Sequence, residues 1–219
     1  MDRSSRNRLT ERQIPRFAGE TLFDGIARAV CRAGCLPRKE LYEAWEVARR
    51  VRRRFRGGRV VDLACGHGLL AWIMLLLDDS SPGALAVDRR LPPSAAGLAA
   101  VLETEWPRLR GRVRLLEADL AEVELGRDDL VVSAHACGGL TDLVLARAVA
   151  AGARVAVLPC CHDLAGLQGW LDGPLAMDVL RATGLRERGY RVFTQQIPGD
   201  ISPKNRLLLA EPASFSPCR

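Results

Sequence analysis

The sequence lacks any long hydrophobic segment. None of its apolar runs reaches the roughly 20 residues that a helix needs to cross a bilayer. Its first ten residues are polar and lack the apolar core of a secretory signal. We therefore expect a cytoplasmic protein with no membrane partner.

The sequence also lacks a regular cysteine pattern. Its seven cysteines are odd in number, and no Cys-x-x-Cys pair occurs. This argues against a disulfide framework and against a structural zinc site. We expect reduced thiols, which are typical of cytoplasmic proteins, and no bound metal.

Lysine is nearly absent, since Lys39 and Lys204 stand beside thirty arginines. GC-rich codon usage produces such a bias, so one arginine alone carries little functional information. Position is more informative. Residues 1–59 hold 16 basic and 7 acidic residues, whereas residues 60–219 hold 16 and 19. The net charge of +6 therefore arises before residue 60, most densely at residues 49–56.

The arginines of residues 49–56 are candidates to bind the phosphates of a nucleic acid. Arg52 and Arg53 are the substrate-binding candidates within this run. The alternative is a solvated helix end, where the helix dipole favours cations. Both interpretations stay open on the sequence.

A strand, a glycine turn and a helix follow one another at residues 60–77. Val60, Val61 and Leu63 are apolar residues of a strand that also contains Asp62, Gly66-His67-Gly68 forms a tight turn, and residues 69–77 are an apolar helical run. Glycines let a backbone approach a nucleotide closely, and the N–H groups of the helix point at it. We expect a nucleotide-containing cofactor at this turn.

Strands and helices alternate after the turn. Strands are predicted at 59–64, 84–88, 112–117, 128–134, 153–158, 190–197 and 206–210, and helices at 69–77, 94–106, 140–150 and 175–187. Repeated strand–helix units predict a parallel sheet covered by helices. No helix fits between the last two strands, so they should pair antiparallel. The expected fold class is α/β: a Rossmann-like, mostly parallel seven-stranded sheet with a terminal antiparallel hairpin.

Three segments divide the chain. Residues 1–18 are predicted to be a flexible basic N-terminus. Residues 19–58 are predicted to be an N-terminal helical extension, with one helix closed by Gly34 and a second at about 38–55. Residues 59–212 form the expected cofactor-binding domain.

Two cofactors compete for the glycine turn. Residues 66–71 satisfy the dinucleotide pattern Gly-x-Gly-x-x-Gly/Ala, and Asp88 follows Gly68 by twenty residues. Asp62 instead favours S-adenosylmethionine, because an anion before the turn suits an amino group and not a pyrophosphate. Asp119 follows the third strand, where an acid can meet adenine. The terminal hairpin also favours this second cofactor.

In kind and in order, these motifs resemble the class I S-adenosylmethionine-dependent methyltransferases. The resemblance implies S-adenosyl-L-methionine as the cofactor, with the turn at its methionine end, Asp88 at its ribose and Asp119 at its adenine. The implied cofactor-binding residues are Asp62, Ala64, Cys65, Gly66, Gly68, Asp88, Asp119 and Leu120. Ala64 departs from the family pattern, because many members have a glycine at this position.

Histidines and cysteines follow the fourth and fifth predicted strands, and polar residues follow the sixth. Ligands of an open parallel sheet bind beyond the carboxyl ends of its strands, so these residues should meet at one edge. The candidate catalytic residues are His135, Cys137, Cys161, His162 and Lys204. Asn205 and Arg206 are further substrate-binding candidates.

The same residues resemble a narrower family. Its signatures are His-x-Cys-Gly…Thr-Asp and Cys-Cys-His or Cys-Cys-Tyr, which stand here at residues 135–142 and 160–162. This methyltransferase domain is shared by tRNA acceptor-stem 2′-O-methyltransferases and glutathione-S-transferase C-terminal-domain-containing proteins. The resemblance covers about residues 37–210, and residues 203–206 match the second group better.

Several chemistries are compatible with these residues. His135 or His162 can act as the base for a hydroxyl acceptor near neutral pH. A cysteine can act as a covalent nucleophile, as in enzymes that methylate carbon 5 of pyrimidines, although Ala136 replaces the proline expected before Cys137. Zinc ligation is a third alternative, and plain packing of Cys160 or Cys161 at a strand end is a fourth.

The function that follows is methyl transfer from S-adenosylmethionine, with RNA (tRNA or rRNA) as the expected substrate and partner. A protein or small-molecule substrate is one alternative, and a non-catalytic cofactor-binding scaffold is another. No Asn-Pro-Pro-Tyr loop is present, which argues against adenine N6 as the methylated atom.

Overall fold

The computed structural model describes residues 2–134, 136–159 and 172–214, and in it strands and helices alternate. The strands are β1 (Val60–Leu63), β2 (Ala84–Asp88), β3 (Val113–Glu117), β4 (Leu130–Ser133), β5 (Arg154–Val157), β6 (Tyr190–Gln196) and β7 (Arg206–Pro212). The α-helices are α1 (Leu22–Ala33), α2 (Arg38–Arg54), α3 (Leu69–Leu76), α4 (Ala95–Glu105), α5 (Gly139–Ala151) and α6 (Gly173–Glu187). Each lies within a few residues of its predicted position.

The strands form one seven-stranded sheet in the order β3-β2-β1-β4-β5-β7-β6. Strands β1 to β5 pair in parallel, with Val60 opposite Ala84 of β2 and Leu130 of β4. Strand β7 pairs antiparallel with both β5 and β6. The predicted α/β class, a mostly parallel sheet with a terminal antiparallel hairpin, is confirmed.

The two ends of the parallel strands define two edges of the molecule. The carboxyl ends of β1 to β5 lie at one edge, here called the carboxyl edge, and their amino ends lie at the amino edge. The strand order reverses between β1 and β4. Ligands of open α/β sheets bind at the carboxyl edge beside such a reversal, so the residues after β1, β2 and β4 are placed for function.

Helices bury both faces of the sheet. Successive strand residues point to opposite faces. Val60 belongs to one buried cluster with Val47 of α2 and Ile73 of α3, whereas Val61 belongs to a second cluster with Val144 of α5. Burial on both sides explains why the central parallel strands are mostly hydrophobic.

The N-terminal segment is packed, which corrects the predicted flexible N-terminus over residues 1–18. Leu9 and Phe17 are buried in the same cluster as α2 and α3, and residues Glu11–Phe17 form a 3₁₀ turn. The Leu9 N–H donates to the Leu36 carbonyl at 2.9 Å. The sequence was misleading here because many charged residues surround two buried apolar side chains.

The longest described helix, α2, has 17 residues. In the part of the chain that the structure describes, no helix combines the length and apolar character needed to cross a membrane.

Candidate active site

The turn between β1 and α3 adopts left-handed backbone conformations. Gly66 and Gly68 have φ angles of 55° and 76°. Ala64 has a φ of 58°, alone among the described residues that are not glycine. A left-handed alanine costs about 1 kcal/mol, and such strain concentrates at ligand-binding turns. The backbone conformation of Ala64 therefore lowers the stability of the turn, as is typical of a ligand-binding site.

The two glycines of the turn have different surroundings. A Cβ on Gly68 would lie 3.0 Å from Leu115 Cδ2 and 3.2 Å from Ala86 Cβ, so this glycine lets the turn pack on the sheet. A Cβ on Gly66 would meet no described atom within 4 Å. A ligand can therefore approach the backbone at Gly66.

A cleft of about 470 Å³ opens at the carboxyl edge beside this turn. The ends of β1, β2 and β4 and the start of α2 form its walls. Its lining residues are Leu36, Glu40, Ala44, Asp62, Ala64, Cys65, Gly66, His67, Leu69, Leu70, Asp88, Pro92, Ala134 and Leu140. The structure thus brings together five of the eight predicted cofactor-binding residues.

Asp62 dominates the electrostatics of the cleft. Asp62 is 1% exposed, and its Oδ2 has no hydrogen-bond partner among the described residues. Burial raises the pKa of its carboxyl to about 8; the Ala71 N–H opposes this shift and the nearby Asp88 adds to it. An unpartnered buried carboxylate is costly, so this position favours a cationic ligand group.

Asp88 holds the glycine turn from the end of β2. Its Oδ2 accepts a hydrogen bond from the Gly66 N–H at 2.8 Å, and its Oδ1 accepts one from the Arg90 N–H at 3.2 Å. A carboxylate has about four lone-pair sites, so two backbone donors leave acceptor capacity for ligand hydroxyls. Asp88 therefore combines a structural role with the predicted ligand role.

The remaining predicted cofactor residues do not line the cleft. Asp119 is exposed, and its Oδ1 accepts a hydrogen bond from the Ala121 N–H at 2.9 Å. Leu120 is buried in the cluster that contains Val61, and Gly68 packs against the sheet. The described contacts of these three residues are structural, and their cofactor roles stay predictions.

Sequence reasoning missed several lining residues. Leu36, Glu40 and Ala44 carry no recognisable motif, and the fold alone brings them to the cleft. His67 lies inside the glycine motif, so its position at the cleft could have been predicted from the sequence. Its Nε2 lies 2.9 Å from Ser94 Oγ, and burial, followed by the charge of Arg8, lowers its pKa.

The loop after β4 contains a cysteine that is not a free thiol. Cys137 is disulfide-bonded, whereas Cys31, Cys35 and Cys65 are free. This corrects the expectation of a reduced thiol at Cys137, because a sulfur held in a disulfide is not a nucleophilic thiolate.

The other members of the histidine–cysteine group, His135, Cys160, Cys161 and His162, lie outside the described residues. Among the residues that are described, no three or more side chains suited to a metal ion come together. The proposed general-base, covalent and zinc chemistries of this group therefore remain predictions.

Thr141 and Asp142 of the predicted motif hold the loop after β4 in place. Thr141 Oγ1 donates to the Ala136 carbonyl at 2.5 Å. Arg181 of α6 donates to both carboxylate oxygens of Asp142, at 2.7 and 3.0 Å. Leu140 in the first turn of α5 lines the cleft, so these contacts position one cleft wall.

The loop between β6 and β7 lies at the carboxyl edge, because β6 runs parallel to β5. Asn205 Nδ2 donates to the Ile197 carbonyl at 3.0 Å and closes the loop. Arg206 Nε donates to Asp178 Oδ2 at 2.6 Å, and Lys204 is exposed. The three candidates are thus on the expected edge, with internal contacts at Asn205 and Arg206.

The structure corrects the predicted substrate role of Arg52. Its side chain is 2% exposed, and it pairs with Asp78 at 3.0 Å. It also donates to the Met74 carbonyl at 3.0 Å and to Ser81 Oγ at 2.7 Å. A guanidinium enclosed in this way cannot reach a phosphate of a large substrate.

Residues 53–59 of the arginine run lie toward the amino edge, since the chain passes from them directly into the amino end of β1, whereas Arg50 donates to the Gln196 carbonyl at the carboxyl end of β6 at 2.9 Å. Most of its side chains have internal partners: Arg49 and Arg50 pair with Glu46, Arg54 with Glu211, Arg56 with Asp78 and Arg59 with Asp129. Arg53 is exposed and makes no ion pair with a described residue. Most arginines of this run therefore stabilise the fold through internal contacts.

A family model described as a methyltransferase domain matches residues 39–166, more than half of the chain. None of the curated proteins matches the sequence.

Solved structures show the same fold. An O-methyltransferase family protein from Burkholderia thailandensis is 20% identical with a TM-score of 0.56; the match covers 93% of this chain and 64% of that chain, so this chain spans less than two thirds of its length. A protein named as an rRNA methylase from Clostridium thermocellum is 16% identical with a TM-score of 0.52, over 77% and 94% of the two chains. A ribosomal protein L11 methylase from Lactobacillus delbrueckii subsp. bulgaricus is 15% identical with a TM-score of 0.50. That match covers 80% of this chain and 78% of the other chain.

The cleft fits S-adenosylmethionine better than a dinucleotide. The unpartnered Asp62 oxygen suits an amino group and would repel a pyrophosphate, and the open backbone at Gly66 admits a ligand. Asp88 has acceptor capacity for sugar hydroxyls. The chain belongs to the methyltransferase domain family, with the class I fold and a cleft that suits S-adenosylmethionine as the cofactor.

Proposed function

We propose that this methyltransferase acts on RNA, with tRNA and rRNA as the substrate classes. The observation that carries the proposal is unpaired positive charge beside the cofactor cleft. Arg89 and Arg90 directly follow Asp88, are exposed, and make no ion pair with any described residue. Exposed arginines of this kind bind RNA phosphates, and the net charge of +6 acts in the same direction.

The similar structures support methyl transfer without selecting one substrate. One is named as an rRNA methylase and another as a methylase of a ribosomal protein. The sequence resemblance to tRNA acceptor-stem 2′-O-methyltransferases favours RNA, and so does the charge beside the cleft. These two supports are independent, because the resemblance rests on residues 135–162 and the charge on residues 89–90.

For the cofactor, we propose that Asp62 binds the amino group and Asp88 the ribose hydroxyls, while Asp119 and Leu120 lie toward the adenine. The burial of Asp62 makes its pairing with a cation strong, because few water dipoles compete with it. Gly66 allows the close approach that these contacts require. When bound, the cofactor supplies a methyl group on a sulfonium centre.

For catalysis, we propose that the acceptor is positioned by the residues at the carboxyl edge. Positioning an acceptor in line with a methyl carbon accounts for much of the rate in such transfers. A hydroxyl acceptor must also lose its proton, and His135 or His162 is the proposed base. Lys204, with Asn205 and Arg206, is proposed to hold a substrate phosphate, and Cys161 is the remaining cysteine candidate.

A second candidate function is methylation of a small molecule or a protein segment. A cavity of about 610 Å³ lies between α6 and the β6–β7 hairpin. Leu175 and Val179 line it and are 38% and 46% exposed, so the cavity can receive an apolar group. This observation favours a substrate smaller than RNA.

One labelling experiment separates these functions. The purified protein and S-adenosylmethionine with a tritiated methyl group are added to an extract of cells that lack the enzyme, and RNA, protein and small molecules are then separated. We expect nuclease-sensitive label in RNA, and none with an Asp62→Asn variant. Label confined to protein or small molecules would refute the RNA proposal, and tight cofactor binding without any label would indicate a scaffold.

A further inference from the structure

Residues 2–9, here called the strap, run across the carboxyl edge next to the cofactor cleft. The Lys39 N–H donates to the Ser5 carbonyl at 3.0 Å, and the Arg38 N–H donates to the Asn7 carbonyl at 3.1 Å. The strap therefore follows the first turn of α2. Glu40 of that turn and the preceding Leu36 both line the cleft, so the strap runs beside the cleft.

Contacts hold the strap at both ends. Arg3 donates to both carboxylate oxygens of Asp200, at 2.5 and 2.6 Å, in the loop between β6 and β7. Leu9 is fully buried at the other end and bonds to the Leu36 carbonyl. The strap thus spans from the β6–β7 loop to the cleft, and its position is fixed by the fold.

The middle of the strap presents two arginines to solvent. Arg6 and Arg8 are exposed, and neither makes an ion pair with a described residue. Arg8 forms an isolated β-bridge with Pro37, which directly follows the cleft-lining Leu36, so Arg8 lies close to the cleft mouth. The fold thus places these charges beside the cleft, with no ion-pair partner in the part of the chain that the structure describes.

The arginines of residues 49–59 provide a contrast. Arg52 pairs with Asp78, and Arg59 pairs with Asp129 at 2.7 Å, so their charge is used within the protein. Residues 53–59 also lie toward the opposite edge of the sheet. Arg6 and Arg8 differ from these arginines, because they form no ion pair with a described residue and lie at the carboxyl edge, where the cleft opens.

We propose that the strap is a phosphate-binding clamp for the RNA substrate, with Arg6 and Arg8 contacting the RNA backbone next to the methylated nucleotide. The inference rests on the proposed RNA function and names the element that binds the RNA. An arginine guanidinium can bind a phosphate through two parallel hydrogen bonds, in a bidentate manner. A strap that is fixed at both ends loses little conformational entropy on binding. An acidic protein surface would be the competing partner, and the experiment below includes it as an outcome.

The test compares two charge reversals in the full chain. The variant Arg6→Glu with Arg8→Glu alters the strap, and Arg110→Glu with Arg127→Glu alters two exposed arginines toward the amino edge. Binding of bulk tRNA is measured between 50 and 200 mM salt, together with S-adenosylmethionine affinity. We expect the strap variant to bind tRNA about tenfold or more weakly, with the slope of log K against log salt reduced by about 2.

The control variant should change tRNA affinity far less, and cofactor affinity should be unchanged in both variants. If the strap reversal disturbs folding, Arg6→Gln with Arg8→Gln should still weaken tRNA binding. Equal loss in strap and control variants would overturn the clamp, because net charge alone would then explain binding. If wild-type protein methylates RNA and the strap variant binds tRNA normally, the clamp fails and the RNA function stands. If wild-type protein binds no RNA and labels an acidic protein, both fail.

Discussion

At the scale of single residues, the surroundings of Asp62 define its role. An aspartate at a strand end is an ordinary residue in sequence. In the structure its carboxyl is buried, one oxygen lacks a partner among the described residues, and its pKa is raised to about 8. The position is therefore unfavourable for the protein alone and favourable for a cationic ligand.

The stability of the ligand-free protein should reflect this burial. The folded-state pKa of Asp62 lies above its unfolded value of 3.8, so its contribution to stability is largest at low pH and is lost as pH rises toward about 8. We expect Asp62→Asn to flatten the fall in unfolding free energy between pH 5 and pH 8. Urea unfolding at pH 5, 6.5 and 8 measures this.

The matched control is Glu122→Gln, which removes an exposed carboxyl. It should leave the pH dependence of the wild-type protein in place. Identical pH dependence in the Asp62→Asn and wild-type proteins would contradict the burial argument.

At the scale of elements, the sequence predicted the features that depend only on residues close together in the chain. The turn glycines and the strand–turn–helix order depend on neighbouring residues, so the sequence predicted β1, Gly66 and α3 correctly. The left-handed conformation of Ala64 was not predicted, because alanine rarely adopts it. The role of Arg181 also went unnoticed, since its partner Asp142 lies on another helix.

The strain at Ala64 gives a prediction for this turn. Ala64→Gly should stabilise the ligand-free protein by up to about 1 kcal/mol, because glycine adopts a φ of 58° without penalty. Ala100→Gly, at an exposed position inside α4, should instead destabilise the protein by about 1 kcal/mol. Thermal and urea unfolding of both variants measure the contrast, and equal destabilisation would show that Ala64 is not strained.

At the scale of the whole molecule, the two edges of the sheet separate structural charge from functional charge. Arginine density in the sequence pointed to residues 49–59, and most of these make ion pairs within the protein. Whether an arginine is free depends on acids distant in the chain, such as Asp78 and Asp129, which composition does not reveal. For the same reason the cleft residues Leu36, Glu40 and Ala44 could not be predicted, and neither could the packing of residues 2–18.

The neighbours Arg52 and Arg53 provide a test at this scale. Arg52→Met should destabilise the protein by about 3 kcal/mol, because it leaves Asp78 without its buried cationic partner. Arg53→Met should change stability by less than about 0.5 kcal/mol, because Arg53 is exposed. Urea unfolding at pH 7 compares them, and a loss of stability at Arg53 equal to that at Arg52 would contradict the assignment.

Calorimetric titration of the protein with S-adenosylmethionine at pH 7, in two buffers of different ionisation enthalpy, tests the central claim most directly. Asp62 is mostly protonated before binding and should ionise against the cofactor's amino group, so we predict release of about one proton per cofactor bound. Asp62→Asn should abolish that release and weaken binding by about 100-fold. Equal affinity and equal proton release in both proteins would contradict the account.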